Sequence, residues 1–176
     1  MNLTKIKIGD EAPEKINVLV EIPLGETKKF ELNPRTGMLE VDRELATTMP
    51  FPFNYGFIPE TLADDGDALD AMILSAETLA KGQAVACRPV AMLKMEDEHG
   101  VDGKILCVPV ESEEKVYAGL NDLAEIDLAT QEKIALFFKH YKETESDKWT
   151  KVFDFADQSE ALKAIEAARV RFGFKS

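Results

Sequence analysis

A chain of 176 residues is long enough to bury a substantial core and is read as a single domain over 1–176. Its 33 Asp and Glu against 21 Lys and Arg leave a formal charge of −12, a field that repels a nucleic-acid backbone and argues against nucleic acid as a partner. With 45% hydrophobic residues the composition is that of an ordinary globule; no run approaches the roughly 18 apolar residues of a membrane span, and Met1 to Lys5 lack the apolar core of a signal peptide, so no membrane partner and a cytoplasmic location are expected.

In chain order, Asn17 to Pro23 is β-branched and Lys28 to Leu32 alternates, so both are predicted strands. Period two puts Lys29 and Glu31 on one face of the second and Phe30 and Leu32 on the other. After the turn signal Asn33-Pro34-Arg35-Thr36-Gly37, the strand Met38 to Arg43 places Arg43 on the face of Leu39 and Val41, either aimed along an apolar wall or snorkelling from the strand end. Pro50 to Pro59 holds too much proline for a helix or a central strand, and too many aromatics for a solvated linker. It is expected as an extended segment against the core, with Tyr55 either a ligand contact or a core residue.

Gln83 to Met95 and Lys104 to Val110 read as two strands of a hairpin, with Asp97, Glu98 and Asp102 at its mouth. Cys87 and Cys107 stand singly in these apolar runs and are expected as buried reduced thiols. Helical spacing of Ile134, Phe137, Phe138 and Tyr141 predicts an amphipathic helix within Asp127 to Glu143, with Tyr141 and Lys142 in its last turn. Its apolar positions could face the core or an interface. Asp157 followed by Glu160 resembles a capping box, opening a second helix that carries Leu162, Ile165 and Phe172. Strands first and helices later imply an α+β fold, with a closed or nearly closed antiparallel barrel flanked by helices.

Asp65-Gly66-Asp67-Ala68-Leu69-Asp70 crowds three carboxylates into six residues. They repel one another unless a hard cation gathers them, and oxygen-only ligands suit Mg²⁺, Ca²⁺ or Mn²⁺ better than zinc. The alternative is a solvated acidic turn. An EF-hand loop counted from Asp65 would need an acid or amide at 69, glycine at 70 and glutamate at 76; the chain has Leu69, Asp70 and Ala76, so ligands must come from elsewhere. No P-loop or glycine-rich nucleotide fingerprint is present, which argues against a nucleoside-triphosphate hydrolase.

An ordered series runs through Val18 to Pro23, Lys29-Phe30-Glu31, Gly37 to Arg43, Asn54-Tyr55-Gly56, Asp65 to Asp70, Arg88-Pro89-Val90, Asp97-Glu98, Asp102-Gly103-Lys104 and His140-Tyr141-Lys142. It resembles the soluble, magnesium-dependent family-I inorganic pyrophosphatases of bacterial type. The resemblance implies an α+β fold with a mainly β core, an OB-like closed antiparallel barrel flanked by two C-terminal helices. It implies hydrolysis of inorganic pyrophosphate, taken as its magnesium complex, to two orthophosphates, with several Mg²⁺ ions per site and Mn²⁺ or another divalent cation as substitutes. Asp65, Asp70, Asp97 and Asp102 would be metal ligands and Asp67 the catalytic general base. Lys29, Arg43, Tyr55, Lys104, Tyr141 and Lys142 would contact phosphate, and Glu21, Glu31 and Glu98 would be supporting acidic residues. A homo-oligomer, a hexamer, is expected. Ala68 and Phe51 depart from the family pattern, which usually has Pro or Glu at the first position and often Tyr at the second.

The chemistry agrees with the residues. Pyrophosphate repels an incoming nucleophile, so a catalyst must neutralise its charge and activate water near pH 7. Carboxylates can hold the cations while Lys and Arg hold the phosphates. The competing reading is a non-catalytic barrel that binds divalent cations or phosphate; Asp67, a spare carboxylate between ligands, argues against it.

Overall fold

The computed structural model describes residues 2–44, 49–110, 116–143 and 145–175. Nine strands and two α-helices follow in order: β1 (Ile16–Ile22), β2 (Lys28–Asn33), β3 (Met38–Glu44), β4 (Asn54–Phe57), β5 (Asp70–Ile73), β6 (Ala84–Asp97), β7 (Gly100–Val101), β8 (Lys104–Pro109), α1 (Leu128–His140), β9 (Thr150–Ala156) and α2 (Gln158–Lys175).

The main sheet runs β1-β4-β5-β8-β6, and β1 pairs again with β6, so five strands close into a ring. Short β7 and then β9 extend β6 beyond it, while β2 and β3 form a separate hairpin. The mainly β, α+β architecture with two C-terminal helices agrees with the sequence reading. One pairing departs from the antiparallel expectation: β5 and β8 run parallel, Met72 opposite Leu106. That is allowed because the long excursion through β6 lies between them.

Both faces of β8 are buried, which is why its sequence is apolar without interruption. Alternation sends Leu106 and Val108 into a cluster with Ile134, Phe137 and Phe138 of α1, and Ile105 and Cys107 into a second cluster with Ala161, Ile165 and Ala168 of α2. Cys87 lies in the second cluster as well, and both thiols are buried and free.

β6 serves β1, β8 and β9 in turn because it bends. Pro89 lacks a ladder donor, and the register slips by one residue between Pro89 and Ala91.

Three expectations are corrected. The proline-flanked segment is not merely extended: Asn54–Phe57 is a central strand, between β1 and β5. The prolines stand outside it, and Gly56 lets β1 approach so closely that a Cβ there would lie 1.9 Å from the Leu19 carbonyl oxygen. β9 lies outside the predicted elements: Lys151 and Asp154 stand three residues apart on opposite faces, which breaks the period-two pattern of this outer strand. In α2 the buried stripe is Ala161, Ile165 and Ala168, small enough for close packing on the sheet, while Phe172 is exposed.

α1 starts where Asp127 accepts hydrogen bonds from the Thr130 amide and hydroxyl, each at 2.8 Å. Its Ile134, Phe137 and Phe138 face inward, leaving Leu128 and Leu136 outside. Tyr141 is its C-cap, so Lys142 lies just past the helix. α2 is capped by Asp157, which accepts from the Glu160 amide at 3.0 Å; the Glu160 side chain pairs with Lys163.

Candidate active site

One open cavity of about 790 Å³ is lined by every candidate site residue named from the sequence. Glu21 comes from β1, Lys29 and Glu31 from β2, Arg43 from β3 and Tyr55 from β4. The loop into β5 supplies Asp65 and Asp67, and Asp70 is the first residue of that strand. The end of β6 brings Asp97 and Glu98, the start of β8 Asp102 and Lys104, and the end of α1 Tyr141 and Lys142.

The loop is pinned at its neck. The Ile58 amide donates to the Leu69 carbonyl at 2.9 Å, and the Thr61 hydroxyl accepts from the Leu69 amide at 2.9 Å while donating to the Ile58 carbonyl at 2.5 Å. At the tip, Asp65 Oδ1 accepts from the Asp67 amide at 3.0 Å. Gly66 between them has φ +95°, a left-handed conformation that glycine adopts without strain.

Deeper in, the carboxylates are knitted to hydroxyl and ammonium groups. Tyr55 Oη donates to Asp70 Oδ2 at 2.6 Å, and Lys104 Nζ donates to the same oxygen at 2.5 Å and to Asp102 Oδ1. Burial opposes the Lys104 charge, but Asp70 and Asp102 outweigh it and raise its pKa, so the ammonium stays charged. Burial and Asp70 likewise push the Tyr55 hydroxyl up, keeping it a donor. Burial raises Asp102 despite the attraction of Lys104.

On the opposite wall Lys142 Nζ donates to Asp97 Oδ2 at 2.7 Å and to Glu98 Oε1 at 3.2 Å, and the His99 amide donates to Asp97 Oδ1 at 2.8 Å. Burial acts upward on Asp97, yet these bonds prevail and hold it below the usual carboxylate range.

Arg43 reaches the cavity through a bulge. Lys29 pairs with Arg43 but Phe30 pairs with Val41, so Asp42 is an extra residue on β3. Arg43 therefore shares the face of Lys29 rather than that of Val41, which is 60% exposed; the expected apolar wall does not exist. Its guanidinium pairs with Asp42 at 3.0 Å and with Glu145 at 3.2 Å, and Lys29 bonds to Glu31 on the same face.

Two further carboxyl groups have raised pKa values. Glu21 is buried, accepts from the Leu32 amide at 2.9 Å, and is pushed up to about 8 by burial and then by Asp70. Asp67 is raised by partial loss of solvation at the cavity, then by Asp65, Glu31 and Asp70, which makes it a stronger base than an ordinary aspartate.

Among the described residues no three carboxylates already converge on one point; the Lys104 and Lys142 ammonium groups lie among them. The donors are all hard oxygens on a cavity with negative charge to spare, and they fit a divalent cation of the Mg²⁺ class.

Sequence reasoning missed Lys148, which lines the cavity and pairs with Glu145 at 2.7 Å. It sits in an irregular segment with no periodicity, so no local pattern marks it. His99 also lines the cavity, whereas His140 Nδ1 lies 2.8 Å from Glu143 Oε2 and outside the lining. Phe51 is buried at the cavity wall against Phe137, ring centroids 4.6 Å apart.

The family profile described as inorganic pyrophosphatase matches residues 18–172. An inorganic pyrophosphatase of Aquifex pyrophilus is 44% identical over 158 residues, 90% of this chain and 89% of the relative. That of Saccharolobus solfataricus is 42% identical over 164 residues, covering 93% and 95%. The crystal structure of inorganic pyrophosphatase from Thermus thermophilus superposes with a TM-score of 0.92 at 36% identity, over 98% of this chain and 99% of that one. With matches that run nearly end to end and take in every wall of the cavity, the chain belongs to the inorganic pyrophosphatase family.

Proposed function

We propose that this chain hydrolyses inorganic pyrophosphate to two orthophosphates, with Asp67 as general base and Mg²⁺ as the resident cation. The observation that carries this reading is the meeting, in one cavity, of carboxylates in excess with Lys, Arg and Tyr groups suited to phosphate. In it Asp65, Asp70 and Asp102 would hold the activating cations and Asp97 a further one arriving with substrate, while Glu21, Glu31 and Glu98 would support them. When bound, divalent cations neutralise phosphoryl oxygens and make water a stronger acid.

The protein's own groups do the rest. Lys29 and Arg43 from the β2-β3 hairpin, with Tyr55, Lys104, Tyr141 and Lys142, contact the phosphates. Asp67, at the loop tip, takes the proton of a water whose oxygen bonds to phosphorus as the bridging P–O bond breaks and its electron pair leaves with the departing phosphate. Lys104 and Lys142 neutralise Asp70 and Asp97 here, and would be free to contact phosphate where a bound divalent cation supplied that neutralisation. The whole of 1–176 acts as one domain, and we place it in the cytoplasm; among the described residues no helix is long and apolar enough to cross a membrane.

The test is orthophosphate release from pyrophosphate. Release is expected with Mg²⁺, lost on adding excess chelator, restored by more Mg²⁺ and partly supported by Mn²⁺. A folded protein that binds Mg²⁺ without releasing phosphate would instead be a cation- or phosphate-binding barrel.

Two further results follow. Phe51→Tyr supplies a hydroxyl at the wall and should lower KM by roughly three- to tenfold, less than the full worth of a hydrogen bond to a charged group because a water can fill the same role in its absence; an unchanged KM would show that no phosphate oxygen comes within its reach. Light scattering should give about six times the 19.6 kDa of one chain, with exposed Leu128 and Leu136 of α1 available for contact between copies. A mass near 19.6 kDa would end the hexamer reading.

A further inference from the structure

Behind the loop carrying Asp65 and Asp67, a second cavity of about 430 Å³ lies against Ala63, Asp64 and Leu69, bounded across by Met92, Ala164 and Ala167. Leu69 at the loop's end is in the core with Ile165 and Ala168, and Ala63 packs against that cluster, whereas residues 64–67 are exposed and bury no apolar side chain. Polar contacts therefore set the course of that stretch.

They come from the last turns of α2. The Leu62 amide donates to the Ala168 carbonyl at 3.0 Å. Arg171 Nε donates to the Leu62 carbonyl at 2.8 Å, and its Nη1 pairs with Asp64 Oδ1 at 3.1 Å. One planar guanidinium thus grips a backbone oxygen and a side chain just ahead of Asp65, a two-point hold that an ammonium cannot reproduce.

We propose that Arg171 is a positioning residue: from α2, outside the cavity that holds substrate, it sets the Asp65 to Asp67 loop tip in the geometry that receives the divalent cation. This rests on the reading that Asp65 is a cation ligand. Arg171 touches no reacting atom. The Asp64 ion pair is largely exposed and contributes little, so the bond to the Leu62 carbonyl is the main element of the hold.

The test uses the full-length protein with Arg171→Met, which keeps the apolar stem and removes the donors, Arg171→Lys, which keeps the charge, and Asp64→Ala, which leaves the carbonyl bond in place. Mg²⁺ binding is read by calorimetry without pyrophosphate, and backbone opening by hydrogen exchange at the Ala63 amide, which donates to the Asp67 carbonyl at 2.7 Å, and at the Asp67 amide, which donates to Asp65 Oδ1 at 3.0 Å. Arg171→Met should weaken Mg²⁺ binding by roughly three- to thirtyfold, the range of a partly exposed charged hydrogen bond, and speed exchange at the loop while β6 and β8 stay protected. Arg171→Lys should fall between it and the parent protein, and Asp64→Ala should match the parent. Unchanged Mg²⁺ affinity with unchanged loop exchange in Arg171→Met overturns the proposal, as does uniformly faster exchange over the whole sheet with affinity intact. Should Arg171→Met fail to fold, Arg171→Lys decides by the same two readouts. If the parent protein bound no Mg²⁺, the cation reading itself would fall, while the exchange measurement would still report whether Arg171 holds the loop.

Discussion

Asp67→Asn should lower kcat by about 10²- to 10⁴-fold, the usual contribution of a positioned general base, while the fold and Mg²⁺ binding survive. The amide has the shape of the carboxylate but cannot accept the proton of water. Little structure depends on the side chain, because it is exposed at the loop tip and the backbone hydrogen bonds of Asp67 remain. The sharper readout is the pH profile. Asp67 must be ionised to act, so turnover should fall as pH drops through its raised pKa, and the variant should lose that acid limb. Asp65→Asn supplies the contrast, since removing a cation ligand should weaken Mg²⁺ activation first. Substantial turnover in Asp67→Asn beside none in Asp65→Asn would transfer the role of base to another group.

Glu21→Gln should have opposite effects on stability and activity. In chelated protein the buried Glu21 titrates at about 8 against 4.5 for the free side chain, so the folded state holds a proton that the unfolded chain has released. Stability arising from this group is fully present below 4.5 and is lost as pH rises toward 8. At pH 7 the cost is about 3 kcal/mol, and Gln escapes it while still accepting from the Leu32 amide. Urea unfolding in chelator at pH 5, 7 and 9 should show the variant gaining on the parent protein from the first to the last. An equal difference at all three values would mean that Glu21 ionises freely in the fold. Turnover should fall, because a cation bound beside Asp70 would favour loss of the Glu21 proton and gain a neighbouring carboxylate, a charge that Gln cannot supply. Added Mg²⁺ should then narrow the gap in stability.

These residues show what was legible in the sequence and what was not. β1 and β8 are readable because burial on both faces favours apolar, β-branched runs, Val18 to Val20 in the first and Ile105 to Val108 in the second, and α1 because one buried stripe imposes helical spacing. β4 is harder: its prolines signal interruption, and only the absence of a Cβ at Gly56, tucked against the Leu19 carbonyl, shows why a strand fits there. β9 hides because an outer strand needs no strong apolar alternation.

The site divides in the same way. By itself the sequence determined which chemical groups are present and, through the ordered resemblance, which of them belong together: the acidic run Asp65 to Asp70, the hairpin acids and the cations spread along the chain. It also determined the α+β class, because periodicity is a local property. Only the tertiary structure decided that Arg43 turns to the side of Lys29, since a one-residue bulge reverses a strand's faces without leaving a mark in composition. It alone brought in Lys148, and it alone placed Arg171 behind the aspartate loop, more than a hundred residues away in sequence. Contacts between distant segments arise from the closing of the ring and the docking of α2, and local pattern carries no record of which residue will meet which.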